Sequence, residues 1–575
     1  MLNFPSRLDK CRGAMVATAI GDALGWPNED RSGNTSKKTM GQDKFISWKR
    51  KAGGRFYNHS ETILAGEYSD DTQMVLSVAR SIIAGNWENF FKNKELPFWV
   101  EYERGGGKAL LRAARFYKTS KKNIWQSELA ADYFQAGGNG TTMRILPHII
   151  AIEHSAGGYE LFADVIRDCL ITHGHPRAVL GATCYAYALN WLLNKNSVLE
   201  YGELVSVVKA GINEWGKFPQ SILSAEWLEA ANSFYNYREI WNQTLDAMLK
   251  HLDYIYNSLQ KGLMIVDTDV LLHLNCFGKE KGAGDIAVLA AIYLTSKYAN
   301  NPVLGIKIPA LMAGTDSDTI ASITGGLLGM LCGLEQIPME WRLVQDYTCI
   351  IQITDILASE SRVDELKFVT SKEKEKEDEW DSSPIGNLHF LRSQTIQCGK
   401  KTSVDISTWK TLFGQTLYIK RYHQNSNTEF DNKQSVKNIR EGRTLEVAVK
   451  NYFLNLGLEY AFLGENCVIT DNNNRYVIDL LYFNRALSCL VAVELKIGDS
   501  IDRAIKQMQI YLKVLDKKLK KEQENPSIGI IVDFNQGKVQ TEIVPSEKYL
   551  PIVATEYVLK LLDKNDLEKY LKEKY

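Results

Sequence analysis

The sequence has no excess of charge of either sign, no cysteine pair at metal-binding spacing and no long apolar run. Its 575 residues carry a formal net charge of −1, so any binding to nucleic acid or to an anionic membrane must come from a local patch. The nine cysteines are scattered and include no Cys-x-x-Cys pair. This argues against a disulfide framework or a thiolate zinc site and favours a reducing cytoplasm. No apolar run approaches the ~18 residues of a membrane-spanning helix, so we expect a soluble cytoplasmic protein that does not bind membranes.

The length and the first residues set further limits. A chain of 575 residues is too long for one core, and two to four domains are typical of roughly this size. Near the start, three basic residues precede the apolar residues 13–20, which faintly resembles a signal peptide. Asp9 interrupts the basic region and Asp22 directly follows the apolar run, so we do not expect export.

Residues 1 to about 360 indicate a mostly helical domain. Residues 178–193 and 286–298 have long apolar faces that are not dominated by β-branched residues. Small residues also recur at every fourth position in two stretches, and on a helix this spacing lets neighbouring backbones approach closely. The two stripes are Gly13, Ala17, Gly21 and Gly25, and Gly325, Gly329 and Gly333.

The pattern changes after residue 360. Residues 371–384 mix Lys and Glu without apolar periodicity and end in Ser-Ser-Pro, which is typical of a solvated helix or an interdomain linker. Residues 385–440 contain scattered strand-like pieces, such as residues 416–419. From residue 441 the pattern becomes helix, strands, helix, strand, with strands expected at 476–483, 490–495 and 528–532. We therefore expect a helical domain (1–360), a charged and unassigned connecting region (361–440) and an α/β domain (441–575).

Two acidic clusters stand out in the helical part. Residues 68–72 have the sequence YSDDT, and residues 313–319 have the sequence AGTDSDT. Each cluster places two carboxylates and at least one hydroxyl within a few residues, inside otherwise apolar sequence. Hard divalent cations prefer such oxygen ligands. Two half-sites from distant segments can therefore close around a pair of Mg²⁺ or Mn²⁺ ions.

Five motifs, in order, resemble those of the ADP-ribosylglycohydrolase family, which includes the dinitrogenase-reductase-activating glycohydrolases. They are residues 12–29 (an opening helix with an acidic follow-on), 68–72, 138–144 (GNGTTMR), 172–176 (THGHP) and 314–319 (GTDSDT). The resemblance covers about residues 8–335. It implies an all-α fold and a binuclear Mg²⁺ or Mn²⁺ site that hydrolyses the N- or O-glycosidic bond at the anomeric carbon of ADP-ribose.

The resemblance also implies roles for individual residues. Glu29 occupies the family's position for an acidic residue near the scissile bond, and a carboxylate close to the water, here Asp71, can act as general acid or base. Ser69 stands where the family more often has threonine, and it keeps the ligating oxygen. The implied metal ligands are Ser69, Asp70, Asp71, Asp316, Asp318 and Thr319. The implied ligand-binding residues are Gly138, Asn139, Gly140, Thr141, Met143 and His173.

Ordinary structural roles compete with several of these assignments. Asp70 can be a helix N-cap, and residues 138–140 alone are an ordinary turn. In context, the bare backbone N–H groups of this loop suit a diphosphate. One of His173 and His175 can touch the ligand while the other caps or packs. Asp22 can be a buried packing residue, and we leave it out of the expected site.

A third acidic set predicts different chemistry near the C-terminus. On a strand, Glu494 and Lys496 project from one face while Leu495 points into the core. Asp479, on the preceding strand, can meet Glu494 at a shared Mg²⁺, and Lys496 can orient a water or stabilise the pentavalent phosphate. This arrangement resembles the PD-(D/E)XK nuclease pattern, and the resemblance implies supporting roles for Glu446, Gln507 and Tyr511.

One position departs from the nuclease motif, which has proline where Ile478 stands. A degenerate fold that does not cleave, or a solvated salt bridge between Glu494 and Lys496, remains an alternative. The lysines of the following helix can contact phosphates, but they equally fit an exposed face. DNA or RNA is the expected partner of this domain.

The sequence therefore predicts a multidomain hydrolase with an all-α ADP-ribosylglycohydrolase-like N-terminal domain and an α/β PD-(D/E)XK nuclease-like C-terminal domain. The first would remove ADP-ribose from a modified protein, nucleic acid or small molecule, and the second would cleave phosphodiesters. The main alternative is a nuclease of a defence system whose N-terminal domain only binds or senses ADP-ribose or a nucleotide. A module that binds ADP-ribose without turnover and a scaffold with two inactive sites are further alternatives.

Overall fold

The computed structural model of the chain forms two compact units. The first comprises residues 1–392 and 396–424, and the second comprises residues 393–395 and 425–575. The structure describes residues 4–29, 44–54, 57–152, 158–359, 380–399, 402–424, 449, 452–453, 456, 459–471, 474–497, 501–521, 523–535, 538–546 and 567–571. Among these residues, no helix combines the length and the apolar character needed to cross a membrane.

The first unit is mainly helical, as predicted. Its α-helices are α1 (Arg7–Gly25), α2 (Asp70–Ile83), α3 (Trp87–Phe90), α4 (Leu96–Trp99), α5 (Lys108–Thr119), α6 (Ala130–Phe134), α7 (Leu146–Ala151), α8 (Gly158–Thr172), α9 (Pro176–Asn194), α10 (Glu203–Ala210), α11 (Ile212–Trp215), α12 (Ala225–Asn232), α13 (Tyr237–Leu259), α14 (Asp267–His273), α15 (Gly284–Tyr298), α16 (Pro302–Ala310), α17 (Ser317–Cys332) and α18 (Tyr347–Ala358). Single π or 3₁₀ turns cover Trp26–Asn28, Phe91–Glu95, Ile124–Gln126, Thr142–Arg144, Gly262–Met264, Leu334–Gln336 and Met339–Leu343. The helices predicted at 178–193 and 286–298 correspond to α9 and α15.

The two glycine stripes face each other between α1 and α17. A Cβ on Gly21 would lie 2.2 Å from the carbonyl oxygen of Ala321, and a Cβ on Gly25 would lie 2.5 Å from the Cα of Asp318. Because a real Cβ cannot approach backbone so closely, only glycine allows these two helices to touch along their backbones. The predicted close approach is confirmed, and it brings the end of α1 beside the second acidic cluster.

The first unit also contains two small sheets. Strands β1 (Trp48–Ala52) and β2 (His59–Ile63) form an antiparallel hairpin. Strands β3 (Trp380–Ser383), β4 (Gly386–Gly399), β5 (Thr402–Thr411) and β6 (Thr416–Gln424) form a four-stranded sheet in that order. The sequence pattern predicts a solvated helix or linker over residues 371–384, but Trp380–Ser383 form a strand that pairs with β4. Residues 371–379 lie outside the described part of the chain.

The four-stranded sheet shares the hydrophobic core of the helices. Leu388, Leu417 and Ile419 are buried in the same continuous apolar cluster as residues of α1, α2, α9, α15 and α17. Burial of these side chains against the helices removes apolar surface from water and so holds the sheet in place. The sheet lies inside the region that the sequence left unassigned.

The second unit is an α/β sheet with cores on both faces. Its strands are β7 (Tyr460–Asp471), β8 (Asn474–Asn484), β9 (Cys489–Ile497), β10 (Asn525–Asn535) and β11 (Lys538–Pro545), in the order β11-β10-β9-β8-β7. Strands β9 and β10 are parallel and the other pairs are antiparallel. Helix α19 (Ile501–Lys518) connects the parallel pair and packs Met508 and Leu512 on one face of the sheet. The three predicted strands and this helix are confirmed.

Candidate active sites

The first acidic motif is held in place by Asp22 of α1. Ser69 is the N-cap of α2, and its Oγ accepts a hydrogen bond from the Asp71 amide at 3.2 Å. The carboxylate of Asp22 accepts hydrogen bonds from the Ser69 amide, the Thr72 amide and the Thr72 hydroxyl at 2.9, 2.9 and 2.6 Å. Asp22 is fully buried. It therefore fixes the turn that presents Ser69, Asp70 and Asp71.

The second acidic motif meets the first directly. The Thr319 hydroxyl donates to Asp71 Oδ1 at 3.3 Å, although the two residues lie on different helices. The other carboxylate oxygen of Asp71, Oδ2, is buried and has no hydrogen-bond partner within the described part of the chain. A buried, unpartnered carboxylate oxygen is costly unless something positive reaches it.

Glu29 joins the second motif in a compact acidic group. One carboxylate oxygen from each of Glu29, Asp316 and Asp318 lies within 4.8 Å of the other two. Asp318 Oδ1 also accepts from the Thr319 amide at 2.9 Å. The sequence placed Glu29 only near the scissile bond, and the structure places it among the expected ligands as well.

The electrostatics of the site favour a bound cation. Burial raises the pKa of Asp71 well above its usual range, and the nearby carboxylates of Asp22 and Asp70 raise it further. Burial, followed by the charge of Glu29, has the same effect on the pKa of Asp70 and on the pKa of Asp318. Carboxylates that repel each other in a dry site become stable in their charged form when a divalent cation lies between them. The donor set therefore fits hard cations such as Mg²⁺ or Mn²⁺.

The glycine-rich loop is attached to the second acidic motif. Asn139 Nδ2 donates to Asp316 Oδ2 at 2.9 Å, so its side chain orients an expected metal ligand. The Asn139 amide donates to the Gly282 carbonyl at 2.9 Å and is therefore not one of the bare N–H groups expected for a diphosphate. Thr141 and Met143 are buried, and the Thr141 hydroxyl donates to the Ala178 carbonyl at 3.2 Å.

A buried ion pair between Arg144 and Asp168 holds this loop in place. Arg144 Nε donates to Asp168 Oδ1 at 2.6 Å, and Arg144 Nη1 donates to the Gly140 carbonyl at 2.9 Å. The second oxygen of Asp168 lies 2.9 Å from His148 Nε2. Burial opposes the charge on Asp168, but Arg144 and His148 hold its pKa below the usual range. The carboxylate is thus charged and fixes the base of the loop.

The two motif histidines have different places. His173 is buried, and a Cβ on Gly140 would lie 3.2 Å from its Cε1, so the ring underlies the loop. Burial, with a further contribution from Arg144, lowers the pKa of His173 to about 3. His175 caps α9, because its Nδ1 accepts from the Arg177 amide at 3.2 Å. Of the two, His173 is thus the one beside the loop, and it is neutral.

The second unit places the nuclease-motif residues side by side on β8 and β9. Asp479 Oδ2 accepts from the Leu495 amide at 2.7 Å, and Lys496 Nζ donates to Glu494 Oε1 at 2.9 Å. Glu494 Oε2 is buried without a hydrogen-bond partner among the described residues. Burial raises the pKa of Glu494, although Lys496 partly offsets it. Asp479 and Glu494 are the two acids that would hold a hard cation here, and the buried, unpartnered Glu494 Oε2 fits such a ligand.

The supporting pair on α19 also reaches this site. Lys496 Nζ lies 3.4 Å from Gln507 Oε1, and Gln507 Nε2 donates to the Tyr511 hydroxyl. The expected Gln-x-x-x-Tyr pair therefore forms one chain of contacts with Lys496. Glu446 lies outside the described residues.

The sequence indicated Asp22 only as a possible packing residue, and it missed the supporting carboxylate of Asp168. Asp22 follows the apolar residues 13–20 of the glycine-striped helix α1, and a buried carboxylate at such a position indicates a fixed partner. Asp168 gave no comparable signal, because helix α8 carries other charged residues at similar spacing.

Two family profiles match separate parts of the chain. ADP-ribosylglycohydrolase matches residues 4–367, and the YhcG PDDEXK nuclease domain matches residues 427–572. The chain is 24% identical over 347 residues to the ADP-ribosylarginine hydrolase Tri1 of Serratia proteamaculans (strain 568), which covers 59% of this chain and 76% of Tri1. It is 30% identical over 176 residues to the ADP-ribosyl-[dinitrogen reductase] glycohydrolase of Rhodospirillum rubrum, which covers 30% of this chain and 54% of that enzyme.

The C-terminal part resembles a different protein. It is 30% identical over 117 residues to "Putative nuclease YhcG" of Escherichia coli (strain K12), which covers 20% of this chain but only 31% of that relative. Both resemblances noted in the sequence are thus confirmed, and so is the predicted combination of an all-α domain with an α/β domain. The chain belongs to the ADP-ribosylglycohydrolase family and is a hydrolase of that family fused to a PDDEXK nuclease-like domain.

Proposed function

We propose that the first unit removes ADP-ribose from a modified acceptor at a binuclear Mg²⁺ or Mn²⁺ site. The observation that carries this proposal is the junction of the two acidic motifs, where Thr319 contacts Asp71 and Asp71 Oδ2 is buried without a partner among the described residues. Families of this kind are generally metal-dependent. The residues that would hold the ions are Ser69, Asp70, Asp71, Asp316, Asp318 and Thr319.

The reaction is hydrolysis at the anomeric carbon of the ribose. The bond from this carbon to the acceptor's nitrogen or oxygen breaks, the oxygen of water bonds to the carbon, and a proton passes to the acceptor. Bound divalent cations supply positive charge that orients the ribose hydroxyls and lowers the pKa of water. We assign the proton transfer to Glu29, which is half-buried and belongs to the acidic group. Asp71 is the second carboxylate that can act as general acid or base.

The glycine-rich loop is the proposed binding surface for the diphosphate. Residues 138–140 lie beside Asp316 through the Asn139 side chain and above the neutral ring of His173. A neutral imidazole adds no charge that would compete with the metal site, and backbone N–H groups in a turn favour an anion. The acceptor class that we propose is an ADP-ribosylated protein, nucleic acid or small molecule.

We propose that the second unit cleaves phosphodiester bonds with Mg²⁺. Asp479 and Glu494 would hold the ion, and Lys496 would stabilise the phosphate in the transition state. The supporting observation is the unpartnered, buried Glu494 Oε2 among the described residues, beside a lysine that is already oriented by Gln507. DNA and RNA are both candidate substrates.

The test of the first activity is release of ADP-ribose from a panel of modified substrates. The panel contains ADP-ribosyl-arginine and ADP-ribosyl-serine proteins, an ADP-ribosylated oligonucleotide and free ADP-ribosyl compounds. The full chain is assayed with Mg²⁺, with Mn²⁺ and with excess EDTA. Metal-dependent release from at least one substrate is expected. Tight ADP-ribose binding without release from any substrate would favour a sensing domain instead.

A further inference from the structure

The sheet of β3 to β6 lies between the two family matches, which end at residue 367 and begin at residue 427. Neither family therefore accounts for it. Its last strand, β6, carries polar side chains that contact the segments around Ser69. We propose that β6 is a positioning element of the hydrolase site. It fixes the turn that contains the first proposed metal ligands, Ser69, Asp70 and Asp71. This inference rests on the proposed metal site.

One contact runs from β6 through Asp346 to the residue before Ser69. The Tyr68 hydroxyl donates to Asp346 Oδ2 at 2.7 Å. The Thr416 amide donates to the same oxygen at 2.7 Å, and the Thr416 hydroxyl donates to Asp346 Oδ1 at 2.6 Å. Lys410 of β5 also binds Asp346 Oδ1 at 2.8 Å. Asp346 and Tyr68 are buried, so the end of β6 and the start of the metal motif share one buried carboxylate.

A second contact runs through Tyr418 to Glu67 and Arg104. The Tyr418 hydroxyl donates to Glu67 Oε1, and Arg104 Nη1 donates to Glu67 Oε2, each at 2.8 Å. The guanidinium carbon of Arg104 lies 4.0 Å from the centre of the Tyr418 ring. The carbonyl of Arg104 in turn accepts the Asp70 amide at 3.1 Å. Tyr418 thus touches both the carboxylate two residues before Ser69 and the residue that holds Asp70.

Two more charged residues, Glu61 and Arg80, contact β6 and the turn that precedes it. Lys420 Nζ lies 2.7 Å from Glu61 Oε1 of β2, and Gln415 accepts from Arg80 of α2. All four residues are almost fully buried. Charged groups in such positions need fixed partners, because an unpartnered buried charge is strongly destabilising. Arg80 is also paired with Glu95, and Glu61 is paired with His59. The contacts of β6 and its preceding turn therefore complete networks that already exist on α2 and β2.

The consequence concerns geometry at the metal site. Ligands of a metal are oriented by the residues that hydrogen-bond to them and to their backbone, and loss of such partners typically weakens metal binding by about 10–100-fold. The contacts of β6 reach Glu67, Tyr68 and, through Arg104, Asp70. A change on β6 should therefore alter metal affinity without removing any ligand.

The test uses Tyr418→Phe in the full chain, with Tyr422→Phe as a matched control. Both variants lose one phenolic hydroxyl from the same strand, but Tyr422 is 44% exposed. Mn²⁺ binding is measured by calorimetry, and ADP-ribose release is measured across Mn²⁺ concentrations. Tyr418→Phe should bind Mn²⁺ about tenfold more weakly and need more Mn²⁺ for half-maximal release, while kcat at saturating Mn²⁺ changes by less than about threefold. Tyr422→Phe should match the wild type.

A second variant protects the test against a folding defect. Thr416→Val removes the hydroxyl donor to Asp346 but keeps the backbone bond, and it should also weaken Mn²⁺ binding. Wild-type Mn²⁺ affinity in both variants would overturn the inference. A lower melting temperature with unchanged Mn²⁺ affinity would overturn it too, because the sheet would then only stabilise the fold. Absence of Mn²⁺ and Mg²⁺ binding by the wild type would instead overturn the proposed metal site, and the inference with it.

Discussion

The Thr72 hydroxyl donates a hydrogen bond to Asp22 Oδ2 at 2.6 Å. This contact joins α1 to the first turn of α2, and the same carboxylate also accepts two amides of that turn. Asp22 is not among the expected metal ligands. It belongs instead to the scaffold that presents them, which leads to the first prediction.

Asp22→Asn should weaken both the fold and the metal site. The asparagine side chain has one acceptor oxygen, whereas the Asp22 carboxylate accepts three hydrogen bonds through two oxygens. At least one of these hydrogen bonds to the carboxylate is therefore lost. We expect the free energy of unfolding to fall by about 2–3 kcal/mol and metal affinity to fall by about tenfold or more. All 12 tryptophans precede residue 410, so tryptophan fluorescence in urea titrations reports on the first unit alone. Asp253→Asn, at an exposed aspartate of α13, is the control. Unchanged metal affinity would mean that Asp22 only packs.

Asp316→Ala should abolish ADP-ribose release by removing a proposed metal ligand. The rate of ADP-ribose release should fall by about 100-fold or more, because loss of a ligand costs more than loss of a residue that only orients a ligand. EDTA should have the same effect on the wild type, and added Mg²⁺ or Mn²⁺ should reverse it. Circular dichroism should show an unchanged fold. Full turnover by the wild type in excess EDTA would contradict the metal assignment.

The stability of the first unit should fall as the pH is lowered below about 6.5. Burial lowers the pKa of His173 to about 3, so the native ring stays neutral while the unfolded ring, with a pKa of about 6.5, takes up a proton. Stability is therefore fully present above pH 6.5 and is lost toward pH 3, by about 1.4 kcal/mol per pH unit for one such histidine. Burial lowers the pKa of His175 to about 4 and acts in the same direction.

His173→Gln tests this pH dependence. Urea titrations followed by tryptophan fluorescence at pH 7, 6 and 5 should show a smaller loss of stability in the variant than in the wild type. Between pH 7 and pH 5, the wild type should lose about 2 kcal/mol more stability than the variant. An identical pH slope in both proteins would show that His173 is protonated in the native state or that other groups set the slope.

Glu494→Gln and Lys496→Ala should stop cleavage of DNA or RNA but leave ADP-ribose release within about threefold of the wild type. Glu494→Gln removes the charge of a proposed metal ligand. Lys496→Ala removes the positive charge proposed to stabilise the phosphate, and loss of such a group typically lowers kcat by about 100-fold or more. Lys506→Ala, at an exposed position of α19, is the control for general loss of positive charge. Equal cleavage by wild type, Glu494→Gln and Lys496→Ala would assign the activity to something other than this site.

Much of both folds could be predicted from local patterns. Apolar periodicity predicted α9, α15 and α19, and β-rich runs predicted β8, β9 and β10, because burial of one face repeats along each element. The small-residue stripes predicted close approach of helix backbones, and the structure shows that the two stripes meet each other between α1 and α17. The sheet of β3 to β6 could not be assigned in the same way, since polar residues such as Thr416 and Tyr418 are buried against Asp346 and Glu67, which are distant from them in the chain.

The sequence by itself indicated the chemistry that we propose for the two sites, because the types of side chain in each motif suffice to suggest it. YSDDT and GTDSDT indicate oxygen ligands, and the Asp479, Glu494 and Lys496 set indicates a second, separate site. Only the tertiary structure decided which residues meet. It brought Thr319 to Asp71, placed Asp22 beneath the first motif and packed Tyr418 against Glu67. Such contacts join segments that are distant in the chain. A single polar residue produces no repeating sequence pattern, so its partner in the folded protein cannot be read from the sequence.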